Sequence, residues 1–169
     1  MKRLTLILIL TICSQVAPGR AADGILPIER LIVDSPVECG AAWDGTGQLI
    51  YSACGPFSDR VIIPDEIMIT VVGSGTVTHN HPEPGCWTFS PGDLIFAASA
   101  YLQEFRVVAY RNGVVTVSIL RRVANIWKMP DGEIEAEERR QRQSGCDYLA
   151  TAWSNLAARY GFEYTVIHD

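Results

Sequence analysis

The stretch THNHPEPGCWTFSPGDL, Thr78 to Leu94, gathers two histidines, a serine and an aspartate into one short region. His79 and His81 stand one residue apart at the end of a β-prone run. Side chains alternate along a strand, so both imidazoles project to the same side and can reach one cation. Asp93 falls in the first turn of a following helix, and the intervening loop can return its carboxylate to the same point. Two imidazoles and a carboxylate leave one tetrahedral position for water, the arrangement a hydrolytic zinc site requires. Taken alone, an H-x-H is more often a pair of turn residues satisfied by backbone groups. Here the third histidine of the chain is the distant His168, so the scarce imidazoles are concentrated in one place.

The elements around this stretch must position it. Thr76-Val77-Thr78 reads as a short strand running into His79. Ser90-Pro91-Gly92-Asp93 reads as a helix start, with a Ser cap, Pro at the first helical position and an acid three residues after the cap, and the helix is expected to run to Leu102. Upstream, Val37 to Asp44 and Gln48 to Ala53 flank Asp44-Gly45-Thr46-Gly47 as a β-hairpin, and Pro64-Asp65-Glu66 opens a short helix that Gly73-Ser74-Gly75 ends. Downstream, Phe105 to Tyr110 and Val114 to Leu120 form a second hairpin about Asn112-Gly113. Asp131 to Gly161 is helical in character, broken at Gly145, with the charge run Glu135 to Arg142 read as a solvated face. Phe162 to Ile167 is a candidate last strand. Strands and helices mixed in this way indicate an α/β or α+β domain with helices packed on a sheet.

Length and composition permit one domain with a substantial core, since 48% of the 169 residues are hydrophobic. Residues 1–22 read as a secretory signal peptide: Lys2 and Arg3, an apolar run from Leu4 to Ile12, then small residues to Ala21-Ala22. That run is too short to span a bilayer as a helix, so no stable membrane span is expected in the mature chain, 23–169. Cleavage removes Lys2, Arg3 and Arg20 but no acid from a chain whose net charge is already −5. An acidic domain of this kind repels phosphate backbones, which excludes nucleic acid as a partner and makes the letters HNH a coincidence, not a nuclease motif. Four cysteines remain, Cys39, Cys54, Cys86 and Cys146, an even number that suits disulfides in an exported protein. Four cysteines allow three pairings; the hairpin places Cys39 and Cys54 on neighbouring strands and makes them one candidate bridge, with Cys86 and Cys146 as the other candidate pair. Cys86 has a second reading, as a thiolate that occupies the open zinc position and blocks the water.

H-x-H-P followed by a short loop and S-x-x-D resembles the metal-binding signature of the JAMM (MPN-plus, or JAB) metallopeptidases. Glu38, six residues before Asp44-Gly45-Thr46-Gly47, matches the glutamate that bacterial and phage-encoded members carry before a hairpin turn. The resemblance covers roughly Val37 to Leu120. It implies a cytidine-deaminase-like α/β fold, with zinc held by His79, His81 and Asp93 and a water as fourth ligand. It further implies Glu38 as general base and Ser90 as hydrogen-bond donor to the oxyanion. The expected function is an exported, periplasmic or secreted, zinc-dependent metallopeptidase or isopeptidase acting on a protein or peptide. The alternative is an inactive module or secreted effector of the same fold that binds a protein partner. The loop between His81 and Ser90 is one residue longer than the commonest family spacing, and beyond Arg122 the resemblance gives no guidance.

Overall fold

The computed structural model describes residues 24–57, 59–125, 132–134, 136, 139–140 and 145–169. The expected signal peptide lies outside them, as does much of the charge run at 135–142. In chain order the elements are α1 (Pro27–Ile32), β1 (Cys39–Trp43), β2 (Leu49–Cys54), α2 (Asp65–Val71), β3 (Thr76–Asn80), α3 (Pro91–Ser99), β4 (Glu104–Arg111), β5 (Val114–Arg122), α4 (Cys146–Arg159) and β6 (Phe162–His168). The strands form one sheet in the order β2-β1-β3-β4-β5-β6. Only β3 and β4 run parallel, joined through α3; every other pair is antiparallel. The fold is therefore mixed α/β with helices against a mixed sheet, as the pattern of elements indicates.

Local chemistry accounts for the turns. Asp44 Oδ1 accepts from the backbone N–H of Thr46 and of Gln48 and from the Thr46 hydroxyl, closing the first hairpin. Asn112 and Gly113 adopt φ of 54° and 79°, the left-handed pair that a tight hairpin turn demands. Gly75 leaves no room for a side chain, because a Cβ would sit 2.6 Å from the Cα of Val71 and 2.7 Å from the carbonyl of Trp43.

The two faces of the sheet bury different sets. Ala42, Val77, Phe105, Val107 and Leu120 face a core completed by Leu94 and Ala97 of α3 and by Leu149, Trp153 and Leu156 of α4. Ala41, Trp43, Val108, Val117 and Ile119 face the other way, onto Leu26, Ile28, Ile32 and Val33 in and around α1. Helix α1 went unread in the sequence, and a buried charge fixes it: Glu29 takes the N–H of Leu26 while pairing with Arg106 at 2.6 Å. Helix α3 stops at Ser99, three residues before the expected Leu102, where Tyr101 turns to a positive φ of 51°.

Candidate metal centre

The site sits past the carboxyl end of β3, where open α/β sheets commonly place ligands. Gly40 pairs with His79 across β1 and β3, and continuing that register sets Glu38 opposite His81. Glu38, His79 and His81 therefore share one face, the face covered by α3. The backbone of Glu38 is gripped on its outer side, its N–H donating to the Phe57 carbonyl and its own carbonyl accepting from Gly55 N–H. The Cys39–Cys54 disulfide, joining directly paired residues of β1 and β2, clamps the same point. Asn80 faces the opposite side. Its amide oxygen takes the N–H of Cys39 at 2.6 Å and its NH2 donates to the carbonyls of Ser35 and Val37, tying β3 to the approach of β1.

Asp93 arrives from α3. Ser90 caps that helix, its hydroxyl oxygen accepting from Asp93 N–H at 3.2 Å, while Asp93 Oδ2 accepts from the Ser90 N–H at 2.7 Å and the Ser90 hydroxyl at 2.8 Å. This reciprocal cap fixes the carboxylate against both histidines. Asp93 Oδ1 lies 3.2 Å from His79 Nε2, Oδ2 lies 3.3 Å from His81 Nε2, and the two Nε2 atoms are 3.1 Å apart. Glu38 Oε1 stands slightly further off, 3.9 Å from His81 Nε2.

These donors form a group that could hold a metal ion: one ligand atom each from Glu38, His79 and His81 lies within 4.8 Å of the others. Two further observations bear on the fit. His81 Nδ1 is 2.8 Å from the Cys86 carbonyl. A carbonyl only accepts, so Nδ1 carries a proton; once Nε2 is deprotonated its lone pair points inward, as in metal-binding histidines that donate the other ring N–H to the backbone. Tetrahedral zinc with bonds of about 2.0–2.1 Å holds its ligand atoms roughly 3.3 Å apart, close to the three separations within the His79, His81 and Asp93 set. The two possible triads share the histidines and differ in the carboxylate; Asp93 is the nearer to both rings, although it approaches each with a different oxygen.

Electrostatics follow from this crowding. Burial pushes the Glu38 carboxyl above its ordinary value, with Asp93 and Asp59 adding to the rise and the two histidines opposing it. Burial also opposes charge on Asp93, yet His79 and His81 outweigh it and hold that carboxyl well below the usual carboxylate range. For His81, burial disfavours the imidazolium but hydrogen bonding to Asp93 prevails and the pKa is raised.

The loop between His81 and Ser90 is fastened from the C-terminal part of the chain. Cys86 is bonded to Cys146 at the start of α4, so its sulfur is not a free thiolate able to block a metal. Trp87 Nε1 donates to Asp147, and Arg111 lies over the Trp87 ring while pairing with Asp147 at 3.0 Å. Trp153 Nε1 donates to the carbonyl of Phe89. His79 stacks on Phe105, which packs in turn on Phe89 and Phe96. Sequence reading missed Asn80 and Phe105 as supports; alternation along β3 carried a signal for Asn80, which must face the side opposite the two histidines, while Phe105 reaches His79 only through the pairing of β4 with β3.

Comparison with known proteins finds no matching family model, no matching curated protein and no matching solved structure. Among the described residues no helix is long and apolar enough to cross a membrane, and the two disulfides are compatible with an oxidising compartment.

Proposed function

We propose that this chain is an exported zinc-dependent metallopeptidase or isopeptidase of JAMM type, on the cytidine-deaminase-like fold of that family, acting on a protein or peptide substrate. The observation that carries the reading is the convergence of His79, His81 and Asp93, with the His81 ring held by the Cys86 carbonyl in the tautomer that binds metal. His79, His81 and Asp93 would hold the ion. When bound, zinc supplies Lewis-acid polarisation of water and of the scissile carbonyl.

The chain's own groups do the rest. Glu38, buried beside the ligands with its carboxyl biased toward accepting a proton, takes the proton of the attacking water and later delivers it to the leaving amine. Its distance from His81 suits a group that works next to the ion. Ser90 has two duties in sequence: its hydroxyl proton rests on Asp93 Oδ2 and must turn toward the oxyanion when that charge develops. Asp93 keeps its bond from the Ser90 N–H during the turn. Hydrophobic packing by Phe105 and Phe89 prevents the His79 ring from swinging away.

Digestion of a peptide library by the oxidised protein, with metal content measured in parallel, tests this reading. Wild type should cleave, and Glu38→Gln should abolish cleavage while the metal stays bound. Metal-loaded wild-type protein that cleaves nothing, and whose affinity for a captured partner ignores Glu38→Gln, would instead describe a binding module.

A further inference from the structure

Resting on that reading, we propose that the cavity beside the metal ligands is a specificity pocket for one uncharged aliphatic or aromatic side chain of the substrate, next to the scissile bond. The cavity has a volume of about 370 Å³, near the lower end of small-ligand sites. Glu38, His79, His81, Ser90 and Asp93 form one side of it. Val61, Ile63, Met68, Val77, Phe96 and Phe105 supply the rest of its lining, Phe105 stacked directly on the His79 ring. The chain thus brings apolar residues from four separate elements and a loop directly against the metal cluster.

The arrangement has a local cause. Phe96 stands three residues after Asp93 on α3, one helical turn along the same face, so the helix that delivers the carboxylate also delivers the aromatic wall. Gly40, opposite His79, has no side chain, and Val61 occupies the space: a Cβ there would lie 3.1 Å and 3.3 Å from the two Val61 methyls. Met68 and Ile63 line the cavity while remaining partly accessible, and Met adapts to differing apolar shapes. Among the described lining residues, the only charges outside the metal cluster are Asp59 and Arg60. These face each other at 3.9 Å at the mouth and are largely exposed, 74% and 63%, so neither offers a buried counter-ion. An acidic substrate side chain would be desolvated there beside Glu38 and Asp93 with no buried Lys or Arg in the described lining, and a basic one would find only carboxylates already engaged as ligand and base, which disfavours both.

Hydroxamates, which chelate a catalytic metal through their head group, probe the pocket without requiring turnover. The zinc-loaded, oxidised protein is titrated with acetohydroxamate and with the hydroxamates of N-acetyl-leucine, N-acetyl-phenylalanine and N-acetyl-aspartate. The leucine or phenylalanine compound should bind about tenfold or more tightly than acetohydroxamate, the scale of burying one such side chain, and the aspartate compound no better than acetohydroxamate. In Met68→Asp and Phe96→Asp the apolar-to-acetohydroxamate affinity ratio should fall to about one; Met68→Ala, a milder change, should reduce it by a smaller factor. Equal affinities across the series in wild type, or an unchanged ratio in all three variants, overturn the pocket while leaving the metal centre standing. Absence of binding by every hydroxamate overturns the metal centre and the pocket together.

Discussion

The two faces of the sheet each bury a cluster of charged or ionisable groups, and they resolve the same physical problem in opposite ways. On the α1 face, Arg106 is fully buried and meets Glu29 at 2.6 Å and 3.0 Å and Glu104 at 2.9 Å, while Glu104 also meets Arg121 at 2.9 Å. Thr78 donates to Glu29, and Arg106 donates to the Gly24 carbonyl. Cations and anions match, and the remaining donors and acceptors are paired. On the α3 face, two carboxylates and two imidazoles converge with no Lys or Arg among them. The first cluster is complete within the chain; the second is a group that could hold a metal ion. Neighbouring residues of one strand take part in both: Thr78 points to one face and donates to Glu29, and His79 points to the other.

Breaking each cluster should therefore have distinct consequences. The largest effect is expected from His81→Ala or His79→Ala, which should eliminate stoichiometric zinc and reduce hydrolysis to background. Glu38→Gln should lower hydrolysis by about 10²- to 10⁴-fold with zinc retained, whereas Asp93→Asn should weaken zinc itself. If Glu38→Gln were the one to lose the metal, Glu38 would be the third ligand and the roles of the two carboxylates would exchange. On the other face, Arg106→Ala should destabilise the fold by about 3–5 kcal/mol, since Glu29 and Glu104 would be left buried without their partner. Chemical denaturation measures this. Replacing Arg106 and Glu29 together by apolar residues of similar size should recover most of the loss.

The disulfides sharpen the contrast within the metal side. Replacing Cys86 and Cys146 by Ser should cost about 2–4 kcal/mol of stability and weaken zinc by about 10- to 100-fold, because the carbonyl that orients His81 loses its anchor. Replacing Cys39 and Cys54 should cost a similar amount of stability and act more on turnover, through Glu38. Chelator competition and denaturation on the same samples separate the two.

The smallest effect is that of mild acid. His81 has a raised pKa without metal, so a proton competes for Nε2, and zinc affinity should start to fall at a higher pH than for an ordinary histidine as pH decreases. The metal-free fold responds in the reverse sense. The His81 contribution to stability is fully present below the unfolded histidine's pKa and is lost as pH rises through the raised folded value. The Arg106 cluster should be silent over that range, because its guanidinium stays charged. Zinc affinity that is flat between roughly pH 5 and 8 would contradict this account of His81.

How much of this was legible in the sequence depends on whether the signal was local. Strand alternation placed His79 and His81 on one side, the Ser-Pro-Gly-Asp cap placed Asp93 at a helix start, and the hairpin brought Cys39 to Cys54. Each depends on residues a few positions apart. Arg106 with Glu29 was not legible, because their partnership spans 77 positions and a lone Arg within a strand reads as a surface residue. Helix α1 was missed for the same reason: six residues are too few for a periodic pattern, and a buried glutamate fixes it. The fastening of the His81–Ser90 loop to α4 depends likewise on tertiary contacts. The end of α3 was overestimated because Ala100 to Leu102 are apolar and helix-compatible, while the chain must turn there to enter β4.

If His79, His81 and Asp93 together bind one cation, the metal content of the purified protein reports it. The oxidised protein, loaded with zinc and dialysed exhaustively, should retain one ion per chain, and His81→Ala treated identically should retain none. A wild-type protein that keeps its disulfides and fold but holds no stoichiometric zinc, or a His81→Ala protein that holds as much, would contradict the account.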